Sequence, residues 1–185
     1  VFGVRYSQYL RLSLDFRHYY YFPKKTSSLV SRILLGAGIP CLNSDELPYE
    51  KGFYAGGAND MRGWLFKSLG PGDYSGDSPY EKVGDIQIEG NIEYRFPVYS
   101  FFKGALFIDV GNIWTYGTSS AFPGGKFYFN KFVSQLAIDA GYGFRFDFRV
   151  LIFRIDVAAP MRNPAYPSGE RWRVKYIQPK DFVWN

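Results

Sequence analysis

The stretch that decides the fold is DIQIEGNIEYRFPV, residues 85–98, in which polar and apolar side chains alternate almost without a break. Apolar side chains occupy the even positions, and the single gap among them is Gly90. Successive side chains of a β-strand point to opposite faces of the sheet, so this strand has one apolar face and one polar face. A polar face of this length indicates water on that side. It consists of Asp85, Gln87, Glu89, Asn91, Glu93 and Arg95.

The same period of two recurs along the rest of the chain. It predicts six further strands, at residues 10–17, 29–39, 103–114, 132–148, 151–159 and 181–185. Most of the seven predicted strands reach or exceed the roughly 9–11 residues that a strand needs to cross a bilayer. The predicted fold class is therefore all-β, with a transmembrane antiparallel β-barrel as the architecture.

The connections between these strands alternate between short and long. The short ones are 23–27, 97–102 and the neighbourhood of 147–150, and the long ones are 40–83, 115–131 and 160–180. Short turns at one end and long loops at the other are typical of outer-membrane barrels, whose long loops are extracellular. Aromatic residues crowd both ends, as interfacial girdles do. The alternative is a soluble β-sandwich or barrel, which does not explain strand length and loop asymmetry together.

An odd number of strands does not suit a closed barrel, and lipid does not tolerate an open sheet edge. We therefore expect residues 1–185 to be the C-terminal part of one larger barrel domain. Composition agrees with a membrane barrel, because 21% of the 185 residues are aromatic. The net charge of +5 comes without a nucleic-acid-binding motif, so we expect solvated basic loops or contact with anionic lipid headgroups, and no nucleic acid.

The residues of enzymatic or metal chemistry are scarce. The chain has one Cys, Cys41, and one His, His18, which predicts no disulfide, no metal and no catalytic triad. The glycine-rich segment 70–76 lacks the Lys-Ser/Thr pair of a phosphate-binding loop. We expect neither an enzyme nor a cofactor.

One long loop contains a candidate site, FYAGGANDMRGWLFKSLGPG, residues 53–72. It places Arg62 between a Gly-Gly turn, Gly56 and Gly57, and a Gly-Pro corner, Gly70 and Pro71. If the next hairpin is centred near Ser100, alternation puts Glu93 and Asp109 on the lumen face as diagonal neighbours, about 7–8 Å apart. Two such carboxylates favour a cation between them, and Arg62 supplies one if the loop folds inward. The alternative is a solvent-exposed Arg62 with two ordinary lumen acids.

Three segments resemble the BamA/TamA superfamily of outer-membrane barrels, also described as the bacterial surface antigen family. FYAGG, MRGW and LGPG are similar to its sixth extracellular loop, and residues 90–97 (GNIEYRFP) and 106–114 (LFIDVGNIW) resemble the two strands after it. The resemblance implies a barrel of about sixteen strands, with periplasmic POTRA domains and the N-terminal strands outside this chain. It also implies a loop tip, Met61, Arg62, Gly63 and Trp64, that pairs inside the barrel with Glu93 and Asp109. We call these four residues the latch.

Two departures from the family pattern are visible. Trp64 stands where Phe or Tyr is commoner, and the last predicted strand stops at Asn185 without a terminal aromatic residue.

The resemblance implies a barrel in the outer membrane of a diderm bacterium that folds or inserts client outer-membrane proteins. Implied partners are those clients, outer-membrane lipid and lipopolysaccharide, and periplasmic or lipoprotein accessory subunits. The alternatives are a two-partner-type secretion pore and the barrel anchor of a fused lipase-like enzyme.

Overall fold

A computed structural model describes residues 6–23, 26–44, 47–76, 81–148 and 150–185. Their seven strands form a single sheet, in which each strand is antiparallel to the next in the chain. The strands are β1 (Tyr9–Tyr21), β2 (Ser28–Pro40), β3 (Ile86–Tyr99), β4 (Phe102–Trp114), β5 (Ala137–Asp147), β6 (Ile152–Arg162) and β7 (Val183–Trp184). The predicted all-β fold and strand number are confirmed.

The remaining regular elements are four short 3-10 helices, at Tyr49–Lys51, Phe132–Gln135, Val174–Tyr176 and Pro179–Asp181. Throughout the described segments, no helix combines the length and the apolar character that a membrane crossing requires. Residues 24–25 and 149, which belong to two of the predicted short turns, lie outside the described residues.

The predicted strand at 132–148 begins too early. Residues Phe132–Gln135 form a 3-10 helix, and β5 starts only at Ala137. The reason lies in the end of β4. The side chain of Gln135 accepts a hydrogen bond from the indole N–H of Trp114 (2.8 Å), and its carbonyl accepts one from the amide of Asn112 (2.6 Å). These contacts hold the segment over β4 instead of extending it.

The predicted strand at 181–185 is likewise shorter than expected. The strand β7 covers Val183–Trp184, Asn185 extends its pairing with β6 through two backbone hydrogen bonds to Asp156 (2.8 and 2.9 Å), and Asp181 closes a 3-10 helix. Between β1 and β7 the sheet is open over the described part of the chain, so these residues form part of a barrel wall.

The two faces of the sheet differ as alternation requires. On the outer face Leu106 and Ile108 are 55% and 53% exposed, as suits contact with lipid. On the inner face of the same strand, Phe107 and Asp109 are 3% and 0% exposed. The inner face is buried because residues 53–69 of the loop between β2 and β3 fold back against it.

An apolar cluster joins the loop to the inner wall. Its members are Phe53, Ala55, Met61, Trp64 and Leu69 of the loop with Ile113 and Ala137 of the wall. The sheet makes room for the loop at Gly36 on β2, where a Cβ atom would lie 2.5 Å from the ring of Phe53. The loop therefore packs against the inner face of the sheet and forms an apolar core with it.

Candidate functional site: the latch in the lumen

The tip of the loop is closed by its own backbone. The N–H of Gly57 donates to the carbonyl of Trp64 (2.9 Å), so the latch sits at the end of a narrow hairpin-like turn. Gly56 and Gly57 have φ values of +109° and +103°, a region that residues with a Cβ atom rarely adopt. The predicted Gly-Gly turn therefore lies at the start of the reversal, and the chain turns back between Gly57 and Trp64.

The side chain of Arg62 lies between the two acids singled out in the sequence. Its Nε and Nη2 donate to the two oxygens of Asp109 at 2.8 and 2.9 Å, a bidentate side-on pair. Its Nη1 donates to Oε2 of Glu93 at 2.5 Å. The predicted register of the β3–β4 hairpin is confirmed, because Glu93 pairs with Phe107 and Asp109 follows two residues later.

Two further groups complete the surroundings of the guanidinium. The ring of Phe107 lies under it, with Cζ of Arg62 3.3 Å from the ring centroid. The amide of Asn91 donates both to Asp109 (3.0 Å) and to the backbone carbonyl of Asp60 (3.0 Å). A buried ion pair offsets its desolvation only when additional hydrogen bonds satisfy its remaining polar atoms. The arrangement around Arg62 meets that requirement.

A second layer of charge lies next to this pair. Arg145 on β5 donates to Asp156 on β6 (2.5 Å) and to Glu93 (3.2 Å). Arg95 also donates to Glu93 (2.6 Å), and Arg154 lies 3.3 Å from Asp156. The lumen wall thus carries alternating acids and arginines that span β3 to β6, and Arg62 enters this network from the loop.

The backbone of the latch is bound as well as its side chain. Gly63 donates its N–H to Oδ2 of Asp139 at 2.9 Å. A Cβ atom on Gly63 would lie 2.5 Å from Cβ and 3.1 Å from Cγ of Asp139. The carbonyl of Arg62 accepts a hydrogen bond from the side chain of Asn185 (2.9 Å). Gly63 therefore allows the loop to approach β5 at a distance that no other residue permits.

The residues flanking the latch are anchored too. Arg32 on β2 donates to the carbonyl of Asn59 (2.7 Å) and to the side chain of Asp60 (3.2 Å). Burial raises the pKa of Asp60, while the hydrogen bond from Arg32 acts in the opposite direction. Across the loop, Arg154 on β6 donates to the carbonyl of Ala58 (2.6 Å). Two walls of the lumen therefore contact the loop just before its tip.

The apolar and Gly-Pro parts of the loop pack near the C-terminal end of β4. Met61 is fully buried, and Trp64 is 8% exposed. Gly70 has a φ of +80° and precedes a cis peptide bond to Pro71. Past this corner, the N–H of Gly72 donates to the carbonyl of Ile113 (2.8 Å). The loop thereby continues the ladder of β4 beyond the point where β5 begins.

The structure brings together Arg62, Glu93 and Asp109, with Met61, Gly63 and Trp64 packed beside them. Gly56, Gly57, Gly70 and Pro71 form the two turns that enclose this segment. Sequence reasoning missed the contacts made by Asn91, Phe107, Asp139, Arg145, Arg154 and Asp156. Each lies at an inward position of its strand, so alternation assigned its face without identifying its partner.

The fold is similar to that of a solved outer-membrane protein, BamA from Haemophilus ducreyi lacking POTRA domains 1–3. The TM-score is 0.64 at 16% sequence identity, over 87% of this chain and 33% of that one. The chain thus spans about a third of the length of that structure, and the likeness establishes the fold. A family model, the Omp85 superfamily domain, matches residues 2–176. The predicted BamA/TamA resemblance is thereby confirmed, and the chain belongs to the Omp85 superfamily.

Proposed function

We propose that this chain is the C-terminal part of a BamA/TamA-like barrel domain that folds and inserts client proteins into the outer membrane. The remaining strands of a barrel of about sixteen and the POTRA domains lie outside residues 1–185 in this proposal. The observation that carries it is the latch, whose Arg62 reaches both Glu93 and Asp109 inside the lumen.

A loop docked in the lumen does not suit a passive pore. The loop occupies the interior and covers the inner face of β3, β4 and β5. It therefore obstructs free diffusion through this part of the barrel. The same loop braces the wall by linking strands that are several positions apart, since it contacts Arg32 on β2 and Arg154 on β6. In the proposed barrel, the first and last strands pair weakly and form a seam. A braced wall leaves that seam as the edge at which client strands can add, which is β-augmentation within a membrane.

The partners follow from this proposal. Client outer-membrane proteins bind at the seam, lipid and lipopolysaccharide surround the apolar outer face, and periplasmic or lipoprotein subunits assist. No chemical turnover and no cofactor are involved.

The test compares the wild-type full-length protein with its Arg62→Ala variant in lipid vesicles. Truncating Arg62 leaves two buried carboxylates without their shared cation, a change that costs about 3–5 kcal/mol in comparable buried pairs. We expect insertion of an unfolded outer-membrane barrel client to fall strongly while the variant remains folded. The matched control is Arg17→Ala, because Arg17 is half-exposed and its ion pair is with Asp15 on β1.

Two results would contradict the proposal. Client insertion at the wild-type rate in Arg62→Ala would show that the latch is not needed for the activity. Vesicles that admit a soluble secreted client, while no barrel client is inserted, would identify a two-partner-type secretion pore instead.

A further inference from the structure

Asp139 on β5 and Asp109 on β4 are directly opposite each other in the sheet register. Both side chains face the lumen beneath the latch, and both are fully buried. Directly opposed side chains of an antiparallel pair have Cβ atoms about 4.5–5.5 Å apart, and like charges at this spacing are destabilising. Neither acid can turn away, because the loop covers them.

The two carboxyl groups accept different numbers of hydrogen bonds. Both oxygens of Asp109 accept hydrogen bonds from Arg62, and Oδ1 also accepts one from Asn91. Asp139 accepts one hydrogen bond, from the N–H of Gly63 to Oδ2. Its Oδ1 is buried and has no hydrogen-bond partner among the described residues. Asp109 is therefore compensated as an anion, and Asp139 is not.

The cations of the site are already paired with other acids. Glu93 on β3 accepts from Arg62, Arg95 and Arg145, and Asp156 on β6 pairs with Arg145 and Arg154. In the loop, Asp60 pairs with Arg32. Arg62 directly precedes Gly63, the residue that contacts Asp139, but its Nε and Nη2 donate to Asp109 and its Nη1 donates to Glu93.

We propose that Asp139 holds a proton when the latch is docked, so that it pairs with Asp109 as a neutral acid beside a carboxylate. The protonated Oδ1 then donates to Asp109, which supplies the partner that this oxygen otherwise lacks. Oδ2 remains free to accept from Gly63. Two carboxyl groups that share one buried site ionise one at a time, as in the paired acids of aspartic proteases. Asp139 is thus a positioning residue, and it couples docking of the latch to uptake of one proton.

The direction of the pH effect follows from this assignment. The docked state holds a proton that an undocked, hydrated Asp139 has already lost at neutral pH, because a hydrated Asp carboxyl ionises near about pH 4. Raising the pH therefore disfavours docking, and lowering it favours docking. Coupling to a single proton changes the docking equilibrium by up to about tenfold per pH unit. The Asp139→Asn side chain is neutral at every pH, accepts from Gly63 and donates to Asp109, so the substitution removes the contribution of this position to the pH dependence while keeping the contacts.

The experiment measures how well the docked loop protects a buried thiol. Cys41 is exposed, so Cys41→Ser removes the background, and Ala55→Cys places a thiol at a fully buried position of the loop. The full-length protein in lipid vesicles reacts with a maleimide from about pH 5 to about pH 9. Each rate is divided by that of Cys41 in the protein without these changes, which corrects for ionisation of an exposed thiol.

We expect the corrected rate of the otherwise wild-type protein to rise with pH by tenfold or more, and the rate of Asp139→Asn to stay lower and to rise much less. Glu89→Gln is the control for buried acids in general, since Glu89 is almost fully buried on β3 but does not contact the latch backbone. It should keep the rise. A flat profile in the otherwise wild-type protein, or an equal rise in Asp139→Asn, would overturn the assignment. The readout is docking and not client insertion, so it is independent of the proposed function.

Discussion

Replacing Arg62 with lysine tests whether the latch needs the shape of arginine or only its charge. Arg62 uses three different nitrogens, two on Asp109 and one on Glu93. A lysine ammonium is a point charge that reaches one of these acids well and loses the planar fork. Hydrogen bonds to charged groups contribute about 1.5–3 kcal/mol each. The lysine variant loses two of the three hydrogen bonds, and local adjustment of the side chains recovers part of their free energy. The docked state is then destabilised by about 3 kcal/mol, which raises the undocked fraction roughly 150-fold.

The assay is the reaction rate of Ala55→Cys in the Cys41→Ser background, because the rate follows the fraction of molecules in which the loop is open. The control is Arg95→Lys. Arg95 also pairs with Glu93, but through one hydrogen bond (2.6 Å) from a side chain that is 42% exposed, so it should change the rate less than about threefold. If Arg62→Lys is protected as well as wild type, the fork geometry has no role in docking and charge alone explains the pair.

The same assay tests two further contacts. Gly63→Ala places a Cβ atom 2.5 Å from that of Asp139, an overpacking cost of about 1–3 kcal/mol, and should raise the rate roughly 5- to 150-fold; Gly117→Ala meets nothing within 4 Å and should leave it unchanged. Phe107→Leu keeps an apolar side chain but removes the ring 3.3 Å from the latch guanidinium, and a desolvated cation–π contact is worth about 1–2 kcal/mol, so the rate should rise roughly 5- to 30-fold. Phe153→Leu on the outer face is its control, and a larger change there would contradict the cation–π contribution.

Strand alternation predicted the wall of this site well. A period of two assigns every side chain of 85–98 to a face, and the short turn around Ser100 leaves little freedom in how β3 pairs with β4. These two constraints were enough to place Glu93 and Asp109 as diagonal neighbours. In a tight hairpin the short turn fixes the strand register, so the pairing of nearby residues can be predicted from the sequence.

The contacts from the loop to the far strands were not predictable in the same way. Gly63 meets Asp139 across 76 positions of sequence, and Ala58 meets Arg154 across 96. No periodicity connects such residues, because their meeting depends on where a long loop folds. The prediction of a strand at residues 132–135 was wrong for a similar reason. Its apolar residues continue the strand pattern, but Gln135 is held by the end of β4.

The composition of the latch suggests how it is held. Its buried charges contribute little net stability, because desolvation of a buried ion pair consumes most of the Coulomb energy. Removing one partner nevertheless costs several kcal/mol, so the arginine–acid network selects one docked geometry over all others. Net affinity for the wall comes instead from apolar burial, at about 1.5–3 kcal/mol for each large side chain such as Met61 or Trp64. A loop held by a few such side chains and oriented by compensated charges can leave its site without unfolding the barrel. An entirely apolar loop of the same size would bind more tightly but would not distinguish one docked position from its neighbours.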